Sequence, residues 1–253
     1  MLSDLSWGAL VLAAAAILIG SALQRLSGTG VGLVVTPVLS LLLGPVAGVL
    51  LTNAVTTVSG FTIMLSVRKR VDWRRAGIVV AAALPGAVLG ALLVLWLEAS
   101  WLQIGIGVLV LIALSLTVAT PELPHVTNRA ALPVAGAVGG LLNTTAGVAA
   151  PAMVIVSRLT RWEQKAFAAS LQPIFMSMGL MSVVLKCLMG ATGDQGLPPW
   201  WVLPAVIALV LGGVGVAAAL ESRVTPERAR ALALILAGLG GAAAVVKGVL
   251  GLL

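Results

Sequence analysis

The chain has 253 residues, 60% of them hydrophobic and 9% charged, with a mean hydropathy of +1.15. Soluble domains carry about 25% charged residues, so this composition excludes a water-soluble surface and predicts an all-α polytopic membrane protein. The net charge of +7 does not point to nucleic acid, because the basic residues cluster at the ends of apolar runs, where topology uses them.

The apolar runs are 7–23, 29–43, 46–66, 76–97, 101–119, 130–142, 147–157, 166–189, 200–220 and 231–252. They are long and continuous, unlike the short alternating strands of a membrane barrel. The first run lacks a basic leader and a cleavage site, so it is not expected to be a removed signal peptide. Runs 7–23 and 29–43 are open between a re-entrant hairpin and two crossings. A crossing helix needs about 20 residues, which runs 46–66, 76–97, 101–119, 166–189, 200–220 and 231–252 approach or meet. Runs 130–142 and 147–157 are too short and are predicted to be half-helices meeting at "NTTAG", residues 143–147.

Twelve of the fifteen basic residues lie in 68–75, 158–165 and 221–230 and at Arg129. The intervening loops 44–45, 98–100 and 190–199 carry none. The positive-inside rule therefore predicts that 68–75, 121–129, 158–165 and 221–230 are cytoplasmic and both termini external. Trp96, Trp101, Trp200 and Trp201 would mark the external interface, and Trp73 and Trp162 the internal one. Lys186 and Lys247 are expected to snorkel from external helix ends.

Sliding the chain against itself by 119 residues sets Gly20 on Gly139, Gly28 on Gly147 and Gly60 on Gly179. The amides coincide as well, Gln24 with Asn143 and Asn53 with Gln172. Basic segment 68–75 falls on 187–194, which has no basic residue, so equivalent loops would face opposite sides. This predicts one membrane domain of two inverted-topology repeats, 1–120 and 121–253. Each would be a broken or re-entrant helix pair plus three transmembrane helices. Secondary transporters use that architecture, with the site where the breaks meet.

The breaks carry the chemistry. Non-helical backbone at membrane depth needs a protein or aqueous partner, and half-helix N-termini aim N–H groups at whatever fills the gap. Here the N-termini would be the segments starting at Thr29 and Gly147. Gly28, Gly30 and Gly147 allow close approach. Arg25 would add a permanent charge suited to an oxyanion; snorkelling to the inner surface is the rival reading. Gln24, Ser27, Thr29, Asn143, Thr144 and Thr145 would add polar contacts. Asn53, Thr56, Thr57 and Gly60, with Ser170, Gln172, Pro173 and Ser177, would form a second layer. Of these, Asn53, Thr56 and Gln172 are expected to reach the ligand. Thr56 and Thr57 read equally well as hydroxyls bonded back to their own helix. Gly48, Gly60, Gly86, Gly90, Gly105, Gly107, Gly212, Gly213, Gly215, Gly240 and Gly241 read as packing positions.

Other chemistry finds little support. The acidic residues Asp4, Asp72, Glu98, Glu122, Glu163, Asp194, Glu221 and Glu227 lie at helix ends or in loops, so no carboxylate sits at depth for proton coupling. His125 is the one histidine and Cys187 the one cysteine, which rules out an intrachain disulfide. No metal set, nucleophile–base pair or nucleotide motif stands out, so neither an enzyme nor a cofactor or metal is expected.

The stretches "SGTGVGLVVTP" (27–37) and "GGLLNTTAGVAAPAM" (139–153) resemble the TauE/SafE sulfite exporter family, also called the 4-toluene sulfonate uptake permease family. Members carry a Gly-rich stretch followed by proline in each half. Gly28, Gly30 and Gly32 precede Pro37 here, and Gly147 precedes Pro151; Ala149 and Ala150 stand where paired glycines are usual. The resemblance implies a secondary transporter of small anions in the bacterial inner membrane, with sulfite or organosulfonates such as sulfoacetate as cargo. The expected partners are a small organic or sulfur-containing anion and membrane lipid, with no nucleic acid and with a homodimer left open. A passive anion channel and a non-transporting membrane assembly subunit are the alternatives.

Overall fold

Glycines, prolines and capping side chains cut the described residues into ten α-helices. The computed structural model describes residues 6–28, 31–118, 125, 128–193 and 196–253. In chain order the helices are α1 (Trp7–Ser27), α2 (Val31–Leu43), α3 (Pro45–Val67), α4 (Trp73–Trp96), α5 (Ala99–Val118), α6 (Ala131–Ala146), α7 (Ala150–Leu159), α8 (Gln164–Met189), α9 (Val202–Leu220) and α10 (Pro226–Leu250). A single 3-10 turn, Arg68–Arg70, follows α3, and the described residues form no strand. Helix starts follow side-chain chemistry. Asp72 accepts from the Arg75 N–H, and Thr225 from the Arg228 N–H with Pro226 behind it. Glu163 accepts from the Lys165 and Ala166 N–H groups, which hold its carboxyl below its ordinary value of 4.5.

Among the described residues, seven helices are long and apolar enough to cross a membrane: α1, α3, α4, α5, α8, α9 and α10. The other three, α2, α6 and α7, have 13, 16 and 10 residues. At 1.5 Å per residue they rise about 20, 24 and 15 Å, short of a hydrocarbon core of about 30 Å. They belong to two hairpins. Gly20 packs on Val31 and Val35, so α2 runs back along α1. Gly139 packs on Met153, so α7 runs back along α6. The first pair thus joins a helix of crossing length, α1, to a shorter one, α2, that packs back along it.

The polar residues at the breaks fall differently from the sequence reading. The helix continues through Asn143, Thr144 and Thr145 to Ala146, and likewise through Gln24 and Arg25 to Ser27. Serine, threonine and asparagine are only modestly unfavourable in a helix, and the chain turns where glycine permits a left-handed residue. Gly28 has φ 79° and Gly147 φ 69°, and their N–H groups cap the Gln24 and Asn143 carbonyls. Thr29 and Gly30 lie outside the described residues.

Positions 119 residues apart exchange roles in the packing. α3 and α8 cross antiparallel at the centre, with Gly60 against the Gln172 carbonyl and Met176, and Gly179 against the Asn53 carbonyl and Thr57. α1 lies parallel to α9, through Gly213 on Leu18 and Ser21. α6 lies parallel to α4, through Gly86 on Ala137, Gly90 on Thr144 and Gly140 on Ala83. α5 and α10 run antiparallel, Gly107 meeting Gly241 and Val245. Small residues therefore set the close crossings, as expected in lipid, but Gly105, Gly212 and Gly215 face open space rather than a neighbour.

These directions gather 68–75, 158–165 and 221–230 at one end of the bundle, the basic end. Gly44 and the α4–α5 and α8–α9 connections lie at the other. Trp73, Trp96, Trp101, Trp200 and Trp201 are exposed, but Trp162 is buried, packed on Phe167 and beneath the Arg75 guanidinium. Lys247 reaches back to donate to the Leu41 carbonyl at 2.7 Å. Lys186 does not snorkel: it is entirely buried.

Candidate functional site

The first two turns of α2 meet the second hairpin at Gly147. Thr36 of α2 approaches Gly147, its hydroxyl 3.5 Å from the Gly147 carbonyl, and Gly32 lies so close to that carbonyl that no side chain fits. Around this junction is a small cavity of about 20 Å³, lined by Gln24, Val31, Gly32, Leu33, Thr56, Asn143, Gly147, Val148, Ala149, Ala150 and Phe175. That is room for little more than one water. None of these lining residues is charged. The first turns of α2 and α7 both face the cavity, so helix N-termini from each hairpin supply its positive field.

Two amide pairs flank the cavity. Gln24 Nε2 donates to Gln172 Oε1 at 2.8 Å, and the Ser59 hydroxyl donates to Gln24 Oε1 at 3.0 Å. Gln172 Nε2 also donates to the Gly28 carbonyl at 3.2 Å, tying α8 to the first tip. In the second pair Asn143 Nδ2 donates to Asn53 Oδ1 at 2.9 Å. Asn53 Nδ2 donates to the Ser182 hydroxyl at 2.8 Å and to the Asn143 carbonyl at 3.3 Å. All four amides are buried. Shifting Gln24–Gln172 by 119 residues gives Asn143 and, in the other direction, Asn53: each pair is the counterpart of the other. Thr56 and Phe175 are counterparts too, and both line the cavity. The Thr56 hydroxyl is buried with no hydrogen-bond partner among the described residues.

A second cavity, about 160 Å³, opens at the basic end. Ser27, Gly28, Ser157, Gln164 and the guanidinium-bearing Arg158 and Arg230 are among its lining residues. Leu33 and Ala150 line both cavities and form the partition between them.

Of the residues the sequence singled out, Gln24, Thr56, Asn143 and Gly147 line the inner cavity, with Asn53 and Gln172 bonded directly behind them. Ser27 and Gly28 line the outer vestibule, and the Ser27 hydroxyl donates to the Leu23 carbonyl. Thr145 bonds back to Leu141, and Thr144 is buried against Gly90 of α4. Arg25 is turned away: its guanidinium lies 3.4 Å from Glu221 at the end of α9. Sequence reasoning missed Arg158 and Arg230, whose charges read as topological, and Ser59, Ser182 and Phe175, which nothing but the helical stripe of Asn53 and Gln172 marked. Among the described residues no group of three His, Cys, Asp or Glu comes together to hold a metal.

Among the described residues, an all-helical bundle with seven crossing-length helices and a small uncharged cavity between α2 and the second hairpin, flanked by two buried amide pairs, defines a polytopic membrane protein. The chain belongs to the sulfite exporter TauE/SafE family, whose model matches residues 12–245. This is a family of membrane anion exporters rather than enzymes. No curated protein and no solved structure matches the chain.

Proposed function

We infer that the protein is a secondary transporter of sulfite or of an organosulfonate such as sulfoacetate, working by alternating access across a bacterial cytoplasmic membrane. The observation that carries this reading is the convergence of two half-helix N-termini and two amide pairs, counterparts 119 residues apart, on one cavity. An oxyanion presents several acceptors to N–H and O–H donors. The N-terminal turns of α2 and α7, the Thr56 hydroxyl, and the Gln24 and Asn143 amides are donors of that kind. In this reading Asn53 and Gln172 orient the two lining amides, and Gly32 and Gly147 bring backbone to the anion. Arg25 fastens α1 to α9 instead of binding it.

The inverted division into 1–120 and 121–253 draws support from the exchanged packing: α1 on α9 against α6 on α4, and α3 crossing α8 at paired glycines. Two equivalent halves can trade conformations, which turns a cavity open to one end into one open to the other. The vestibule lies at the basic end, which the positive-inside rule assigns to the cytoplasm. Loading from that side suits export.

The test is flux of radiolabelled sulfite in proteoliposomes, with sulfoacetate, taurine, thiosulfate and acetate as competitors. Saturation and trans-stimulation are expected of a carrier. Continuous, non-saturating conductance would make it a channel. Absence of flux for every anion would remove transport and leave a non-transporting membrane subunit.

A further inference from the structure

Lys186 is the one charged side chain among the described residues that is fully buried. Its ammonium nitrogen has no hydrogen-bond partner among them. An unpaired cation inside a membrane protein is strongly unfavourable, and such residues commonly mark ion pathways. Among the described residues, the elements packed on α8 offer it no counter-charge. α3 and α6 carry no charged residue between 45 and 67 or 131 and 146, and α4 carries only Arg74 and Arg75, at the basic end beside Arg68, Lys69 and Arg70 of the 3-10 turn. Glu98, at the α4–α5 corner, is exposed.

The position of Lys186 connects it to the cavity. Asn143 lines the cavity and bonds Asn53, and Asn53 bonds Ser182 on α8. Lys186 is one turn further along the same face of α8, a rise of about 6 Å away from the vestibule. The polar string cavity–Asn143–Asn53–Ser182 therefore leads along α8 to the turn that carries Lys186. Beyond it the packing is apolar. Ala191, whose N–H donates to the Lys186 carbonyl at 2.9 Å, sits in an apolar cluster with Val46, Val94 and Leu102. Gln103 Oε1, near the start of α5 at this same end, is likewise buried without a partner.

We propose that Lys186 is a second anion-binding station on the transport path, on the side of the cavity opposite the vestibule, closed off in the conformation described. Opening of the Val46–Val94–Leu102–Ala191 cluster exposes the ammonium to the path. A small sulfur oxyanion leaving the central cavity then pairs with it before reaching water. This rests on the transport reading of the central site.

The test uses the full chain in proteoliposomes, with sulfite exchange as one readout and thiol labelling as the other. Lys186→Met is expected to lower exchange by about tenfold or more, the scale of one lost charged hydrogen bond, whereas Lys186→Arg retains most of it. For labelling, Lys186→Cys is made together with Cys187→Ser, because the native Cys187 is exposed and would react. A membrane-impermeant thiol reagent should modify position 186 only from the side opposite the basic loops, and faster during sulfite exchange. Melting in detergent checks that each variant is folded. Wild-type exchange in folded Lys186→Met, or no labelling from either side during exchange, overturns the proposal. If wild type carries no sulfite, the transport reading falls by itself. Labelling then still decides whether position 186 faces a path: one-sided labelling supports it and none overturns it.

Discussion

At the scale of single residues, the site separates groups that hold the protein together from groups left for a ligand. The Thr56 hydroxyl makes no hydrogen bond among the described residues, so Thr56→Val, nearly isosteric, removes none of the contacts that hold the fold. Its melting temperature is expected to match wild type, whereas the apparent affinity for sulfite falls about tenfold, the scale of one hydrogen bond to a charged group. Titration calorimetry in detergent reads both halves of that statement when paired with a melt. Asn143→Leu is the opposite case. It strips the donor from Asn53 Oδ1 in a buried setting, which costs about 1–3 kcal/mol and lowers the melting temperature as well as flux. Adding Asn53→Leu should cost less than a second full penalty, because the orphaned partner is gone. Additive losses in that double-mutant cycle would show that the pair is not coupled. The amides were legible in the sequence because an amide deep in an apolar run needs a partner. That the two pairs they form would be counterparts of each other was not, since one-dimensional spacing does not reveal which helices cross.

At the scale of elements, the hairpin tips depend on two left-handed glycines. Gly147 combines φ 69° with a neighbour, Thr36, against which a new Cβ would press. Gly147→Ala therefore meets both a backbone penalty of about 1–2 kcal/mol and a clash at the contact between the two tips. Lower thermal stability and lost binding are expected together, and Thr36→Ala in the same chain relieves the clash but not the backbone term. Gly105, in mid-α5 with open space at its Cβ, is the control. Gly105→Ala should leave stability unchanged or raise it by about 0.4–1 kcal/mol. The sequence marked both breaks correctly as glycine-centred but began them too early, at Gln24 and Asn143. Polar side chains look like loop residues in a sequence, yet they sit comfortably in the last turn of a helix that ends at glycine. The glycines show the same limit, because composition distinguishes neither Gly86, tight against Ala137, nor Gly212, which touches nothing.

At the scale of the whole molecule, charge and cavity are aligned. The fold gathers 68–75, 158–165 and 221–230 at one end, and the vestibule opens there between Arg158 and Arg230. Both arginines sit outside the inner cavity, whose lining has no charge. Their contribution is therefore a field that concentrates anions at the mouth of the path, not a contact in the bound state. Low-dielectric walls focus such a field, and salt screens it over about 8–10 Å at 0.1–0.15 M ionic strength. Arg158→Gln with Arg230→Gln should raise the KM for sulfite several-fold at low ionic strength, with the maximal rate unchanged. The difference from wild type should shrink as salt rises, because screening removes from wild type what the substitutions remove from the variant. A fall in maximal rate that salt does not alter would place the guanidinium groups on the anion itself. That outcome would move the binding site outward from the amide pairs to the vestibule.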